Sequence, residues 1–204
     1  MEIKDIKKAL EEVRLKGPKR EFNQSVDLII NIKNLDIKKS PISSFHQLKH
    51  KIKEVTICCF SDEAVGNKAE KIFNKVITKS ILNTLADKKE IKKLAKSYDY
   101  FIGQADLMPL IANKLGKILG SRGKMPNPAA GCIFTPNTDL EELKIKLQTL
   151  KRIQTKNEAS IKVSVGKENL KDEEIIENVS DMHNHVLSLL PEGNNNVKNV
   201  LLKL

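Results

Sequence analysis

The chain has 204 residues, 40% of them hydrophobic and 4% aromatic, with no Trp. That hydrophobic share is enough for real cores and excludes a disordered chain, while the length admits one large domain or two small ones. Thirty-six Lys and Arg against 26 Asp and Glu leave a formal net charge of +10, which favours a polyanionic partner over an acidic small substrate.

Ile3, Ile6, Leu10 and Val13 recur at helical spacing, and the Gly-Pro pair in "KGPKR" (16–20) ends that helix. "SVDLIINIKNLDI" (25–37) alternates apolar with polar residues around β-branched positions, as a half-buried strand does. "KKSPISSF" (38–45) reads as loop. From residue 51 the pattern changes. "EVTICCF" is a continuous apolar run that suits a strand covered on both faces, and "SDEAVGNKAEKIFNKV" follows as a helix with Ser61 or Asp62 as its cap. "KKEIKKLAKSY" is helical, "DYFIGQ" is a short buried strand, and "ADLMPLIANKLGKIL" is a helix that tolerates Pro109 in its first turns. A short "CIF" strand (132–134) precedes "NTDLEELKIKLQTLKRI" (137–153), a helix capped by Thr138 or Asp139. This alternation predicts an α/β domain with a largely parallel sheet over 51–155.

Beyond Thr155 the earlier pattern returns. "ASIKVSVGK" alternates as a strand, Ile175, Ile176, Val179, Met182, Val186 and Leu189 share one helical face, and "NVKNVLLKL" is a last strand. Neither flank holds enough strands to bury its own face. They are therefore expected to pack together, 1–50 with 156–204, as one discontinuous α+β sandwich-like domain, with 51–155 inserted as a second, Rossmann-like three-layer α/β domain joined to it by a hinge.

Three cysteines, Cys58, Cys59 and Cys132, form no disulfide framework and read as buried thiols of a reducing compartment. No apolar run approaches the roughly 20 residues that span a bilayer, and the amphipathic N-terminus carries both charges rather than a signal core. A soluble, cytoplasmic protein with no membrane partner is expected. His183 and His185 are two apart on the same helix and point to different faces, with no further ligands at metal spacing, so they read as surface or half-buried residues. Asp172, Glu173 and Glu174 complement the start of that helix. No catalytic constellation assembles from spacing, and no cofactor or metal is expected.

The stretch "KLGKILGSRGKMPNPAAG" (114–131) holds glycines, prolines and basic residues without one acid. It fails the P-loop pattern, because Ile118 and Met125 stand where a glycine and a Ser or Thr are needed. It also follows a helix rather than a strand, and Pro126 and Pro128 oppose the helix that a dinucleotide fingerprint or a KH-type loop would lead into. A turn that ends a helix remains beside a phosphate site built from Gly120 to Lys124. The second reading makes the chain a nucleotide-dependent α/β enzyme.

Together with the preceding "LAKSYDYFIGQADLMPLI", this stretch resembles the signature of the uL1 family of large-subunit ribosomal proteins, especially its archaeal branch. "KREFNQSVDLIINIKNLD", "SIKVSVGKENLKDEEIIENV" and "NVKNVLLKL" resemble that family's first strand, return segment and last strand, so the likeness covers essentially the whole chain. It implies the same two-domain layout and no catalysis. It implies a protein that binds a bent, helical segment of large-subunit ribosomal RNA and forms the mobile stalk beside the tRNA exit site. Repression of translation through its own messenger, contact with exit-site tRNA, and a monomeric free state are implied as well.

Carried over residue by residue, the RNA contacts are Glu21, Phe22 and Ser25, then Gly166, Lys167 and Asn169, then Asn199. In the second domain the signature falls on Gly120, Arg122, Gly123, Lys124, Pro126, Asn127 and Pro128. The sequence departs from the family at Ser121, where proline is usual, at "FHQLKHKIKEV", which lacks the usual Leu-Pro-His type segment, and at Glu21, often basic. The family's last strand runs on into Thr-Met-Gly where this sequence stops at Leu204, which implies either a truncated chain or weaker RNA binding than in a chain carrying that triad. For Phe22 the residue chemistry is plain: an aromatic ring after "KRE" at a strand edge offers an apolar face to a base or ribose.

Overall fold

In the computed structural model, which describes every residue except Met1, Glu2, Lys19 and Ala86, the alternating Val26, Leu28, Ile30 and Ile32 lie on the buried face of β1 (Ser25–Ile32). The strand stops well short of Ile37. Lys33 N–H bonds to the carbonyl of Asn196 at 2.8 Å, and Asn34 turns the backbone into the left-handed region at φ 57°, a conformation Asn tolerates better than most residues.

The chain divides into two compact units, Met1–Lys53 with Thr149–Leu204, and Glu54–Gln148. In the first, β1 is the centre of an antiparallel sheet, flanked by β8 (Ser160–Lys167) and β9 (Val197–Lys203). One face is covered by α1 (Ile3–Lys16), through Ile6 and Leu10, and by α7 (Asp172–Leu189), through Ile175, Val179, Met182 and Val186. Ile176 and Leu189, predicted on the same face, are only partly buried against that core. Asn178, fully buried on α7, donates to the carbonyls of His50 and Val165 and accepts from His50 N–H, so it ties the helix to β8 and to the chain around His50.

Two short segments differ from the reading of the sequence. Ser43–Gln47, placed partly in a loop above, is a strand, β2, and it pairs antiparallel with β7 (Leu150–Gln154). The helix expected over 137–153 therefore ends earlier, as α6 (Leu140–Thr149), and β7 belongs to the first unit. A strand of five residues gains its ladder only from a partner distant in the chain, and that partner overrides local helical periodicity. Leu150 and Ile153 go into the core.

The second unit is a parallel sheet of β3 (Ile57–Ser61), β4 (Lys75–Thr78), β5 (Tyr100–Gln104) and β6 (Ile133–Phe134), in the order β4-β3-β5-β6. Every residue of β3 (Ile57–Ser61) is buried. Cys58, Phe60 and Phe101 form one cluster with Leu82, Ile91, Ala95, Ile111, Leu115 and Leu119 from the covering helices, and Ile57, Cys59 and Ile102, of the opposite parity, are equally buried. Asp62 caps α2 (Glu63–Ile72), its carboxylate accepting from Val65 N–H at 2.9 Å, and Asp139 caps α6 through Glu141 N–H at 2.9 Å. The helix read through Val76 ends instead at Ile72. The β-branched pair Val76-Ile77 then forms β4 (Lys75–Thr78) beside β3, leading into a short α3 (Lys79–Thr84) that the periodicity does not reveal. After α4 (Lys88–Ser97), β5 (Tyr100–Gln104) runs through a short turn into α5 (Met108–Ser121), which has Pro109 in its first turn, and β6 (Ile133–Phe134) completes the sheet. Cys58, Cys59 and Cys132 are free and buried, and burial raises the Cys59 thiol pKa to about 12 and that of Cys132 to about 11, so these thiols stay protonated and unreactive.

Candidate nucleic-acid interface

Between α1 and β1 the chain must turn back on itself, and two side chains hold that turn. Gln24, only 3% exposed, donates from Nε2 to the carbonyl of Pro18 at 2.9 Å, and its backbone carbonyl accepts from Glu168 N–H at 2.9 Å. Arg14, from the last turns of α1, donates to the carbonyls of Glu168 (2.9 Å) and Leu170 (3.2 Å) and pairs with Asp172 at 2.8 Å. The segment before β1 and the segment after β8 are thus clamped to each other. Neither Arg14 nor Gln24 is singled out by the sequence, because the partners of Arg14 lie about 150 residues away along the chain and the Gln24 backbone meets Glu168 only in the folded sheet.

Strand register then decides which predicted contacts meet. Ser25 is opposite Lys167, and Val26 is opposite Gly166, followed by a bulge that kinks the strand. Glu21, Phe22, Ser25, Gly166, Lys167 and Asn169 accordingly gather at one end of the sheet. Phe22 is 60% exposed, so it is not a core aromatic, and the guanidinium of Arg20 lies 5.7 Å from its ring centroid, within cation–π range. Glu21, Ser25 and Asn169 are exposed and Lys167 is half-buried.

Gly166 is buried. A Cβ there would lie 2.8 Å from Ile175 Cγ1, so the glycine lets α7 pack closely on β8, and only its backbone faces the edge. Asn199 does not join this group. It is opposite Asn31, whose Nδ2 donates to Asn199 Oδ1 at 2.7 Å. That position is six residues along β1 from Ser25, roughly 20 Å at the usual strand rise.

The glycine-rich loop of the second unit has a different occupation. Gly123, at φ 65°, ends α5 with the paired bonds Lys124 N–H to Leu119 carbonyl and Gly123 N–H to Gly120 carbonyl, both 2.9 Å, the pattern of a Schellman helix stop. The Lys124 ammonium donates to the carbonyls of Ala95 (3.0 Å) and Tyr98 (2.6 Å) at the C-terminal end of α4, where the helix dipole favours a cation. Pro126 Cγ comes within 3.9 Å of where a Cβ on Gly103 of β5 would sit. Asn127 caps a single 3₁₀ turn that starts at Pro128, its Oδ1 accepting from Ala129 N–H at 2.9 Å. Gly120 borders open space, and Arg122 is exposed. The amides and the lysine that a phosphate cradle needs are therefore directed at helix ends, which overturns the nucleotide-site reading of Gly120–Lys124.

The two α7 histidines differ from each other and in part from expectation. His183 is buried at 4% exposure rather than at the surface, on the α7 face that also buries Val179, Met182 and Val186; burial also lowers its pKa. His185 is half-buried and stacks on His46 from β2, with ring centroids 4.1 Å apart. Among the described residues, no group of three or more His, Cys, Asp or Glu is arranged to hold a metal ion, and no helix is long and apolar enough to cross a membrane.

Comparison with known proteins matches the sequence profile of the Ribosomal protein L1p/L10e family to residues 10–204. The chain is similar to the protein called large ribosomal subunit protein uL1 in Nanoarchaeum equitans, with 40% identity over 99% of this chain and 94% of that one. It is similar to the proteins of the same name in Pyrococcus abyssi, with 37% identity over 97% and 90% of the two chains, and in Methanococcus voltae, with 36% identity over 96% and 92%. Identity of this level over nearly the full length places the chain in the ribosomal protein L1p/L10e family, which consists of ribosomal structural proteins rather than enzymes.

Proposed function

We propose that this protein is a structural constituent of the large ribosomal subunit and binds its ribosomal RNA through the edge made by the start of β1 and the end of β8. The observation that carries this reading is the exposed Phe22 ring with Arg20 beside it, on an edge clamped by Arg14 and Gln24. An aromatic ring and a guanidinium presented together suit an irregular RNA element, where an unstacked base can lie on the ring while the cation meets a phosphate. Lys167 adds positive charge across from Ser25. Asn169 and the Gly166 backbone offer hydrogen-bonding groups to sugar and phosphate, which set register without reading sequence. Glu21 is a carboxylate among these groups, and it acts as an acceptor toward amino or 2′-hydroxyl groups rather than toward phosphate.

In this reading the unit built from both ends of the chain is the RNA-binding domain, with the inserted α/β domain between its two halves. Bound to the ribosome, the protein forms the mobile stalk near the tRNA exit site and meets exit-site tRNA there. Its own messenger, carrying a similar RNA shape, is a second ligand through which it represses translation. The family membership and the +10 charge support these roles.

Titration of the whole protein with a stalk-region RNA fragment and with a scrambled duplex of equal length tests the proposal. Tighter binding to the fragment at every salt concentration is the expected result, with affinity for both falling steeply as salt rises. Equal affinity for the two RNAs overturns it.

A further inference from the structure

The first unit carries a second Arg–aromatic pair, in the two-stranded β2–β7 sheet, which a bridge from Thr155 to Ile161 joins to the start of β8, the end away from Phe22. Arg152 of β7 has its guanidinium 5.9 Å from the centroid of the Phe45 ring of β2. Beside it a hollow of about 380 Å³ is lined by Arg152, Gln154, Lys156, Glu158, Ser160 and Lys162, which belong to β7, β8 and the turn between them. Three of these side chains are cations and one is an anion. Glu158 is already spoken for: Lys162 donates to it at 2.6 Å and Ser160 at 3.3 Å, and the Lys162 bond is the first cause that holds its carboxyl below the usual carboxylate range.

The hollow opens onto the uncovered face of the sheet. Ser160, Asn31 and Asn199 form one cross-strand row of that face, and Lys162, Ile29 and Leu201 form the next. Leu201 is 48% exposed. Asn199, which does not reach the Phe22 edge, is thus two strands from a groove residue, with its amide already paired to that of Asn31. From Lys167 at the Phe22 end to Ser160 at the groove end is the whole length of β8, roughly 23 Å at the rise of a strand.

We infer that the Arg152–Lys156–Lys162 groove is a second contact surface for RNA, one that takes backbone phosphates without reading sequence. The inference rests on the proposed RNA-binding function and deepens it: one RNA lies along the open face of the sheet, held by its irregular element at Phe22 and by its phosphates about 23 Å away. The groove chemistry fits phosphate rather than a base. Its polar groups are cations and neutral hydrogen-bonding groups around a single internally paired acid, and the Phe45 ring holds the Arg152 plane in one orientation, which reduces the entropy lost on binding. Glu158 acts as a brake, because it competes with phosphate for Lys162.

The test uses the whole protein, the stalk-region RNA fragment and the scrambled duplex, with affinity measured across a salt series. Arg152→Gln combined with Lys156→Gln is expected to weaken binding to both RNAs by the same factor. The slope of log affinity against log salt should fall in magnitude by about 2, one for each lost phosphate contact. Glu158→Gln is expected to act in the opposite direction, with tighter binding to both RNAs and a steeper slope, an outcome that misfolding cannot imitate. Unchanged slopes in both variants overturn the inference, as does a loss confined to the stalk fragment, since that would mark sequence-reading contacts. Should the double variant lose its cooperative melting transition, Glu158→Gln decides alone, and no gain in affinity overturns the inference. Absence of any preference for the stalk fragment in the unaltered protein would refute the specific function while leaving the slope changes to report on the groove.

Discussion

The imidazole of His46 lies against that of His185, ring centroids 4.1 Å apart and planes 18° from parallel, while His46 Nε2 is 2.7 Å from Asp181 Oδ2. Ser44 Oγ is 3.4 Å from His185 Nε2. Burial, together with the neighbouring His46, lowers the pKa of His185 below its ordinary 6.5, and burial does the same to His183. For both groups the unfolded chain takes up protons at a higher pH than the folded one. Their contribution to stability is therefore complete above the ordinary value and is lost as pH falls through it, until the folded pKa is reached. The histidine contribution to the melting temperature is expected to be constant around neutral pH and to decline below about pH 6.5. His185→Gln should make that decline shallower, which thermal unfolding across a pH series would register. An unaltered pH profile in the variant would show that the stacked pair does not couple protonation to folding.

Lys124 is a helix-capping residue. Replacing it with Met removes two charge-assisted bonds to the carbonyls of Ala95 and Tyr98, each partly shielded from water. A loss of about 1.5–3 kcal/mol in urea unfolding is expected, with RNA affinity unchanged. A fall in RNA affinity at constant stability would instead return the lysine to a phosphate-binding role.

Phe22→Ala should behave in the opposite way. The ring is 60% exposed and contributes little to the core, so the melting temperature should stay where it is. Affinity for the stalk-region RNA should drop by about 1–3 kcal/mol, the usual worth of a base stacked on an aromatic ring, while affinity for the scrambled duplex should hardly move. Loss of both affinities together would mean that the ring supports the edge rather than touching RNA.

At Gly166 a single methyl group is the probe. An added Cβ would lie 2.8 Å from Ile175 Cγ1, an atom close to the helix backbone that cannot swing aside. Gly166→Ala should cost about 1–3 kcal/mol of stability through overpacking. It should also displace the β8 end of the candidate edge, so a crystal structure or amide chemical shifts would report movement at Lys167 and Asn169. Full stability in the variant would show that α7 has slack at this point.

The amino-acid order alone determined α1, β1, α5 and α7 by their apolar spacing and the five-residue β3 by its continuous apolar run, and it narrowed two helix caps to Ser61 or Asp62 and to Thr138 or Asp139, between which only the folded geometry chose. The nature of the glycine-rich stretch was half legible, since its prolines exclude a following helix, but nothing local shows that Lys124 reaches the end of α4. The candidate interface was legible as a set of residues and not as a surface. Register sets Ser25 opposite Lys167, which brings six of them to one end of the sheet, and leaves Asn199 far away, because pairing with Asn31 is a choice among strand alignments that no single segment encodes. The strands β2, β4 and β7 were not legible because, unlike β3 of the same size, each is polar along much of its four or five residues or continuous with a helical pattern, and the ladder that makes it a strand is supplied by a partner only when the chain has folded.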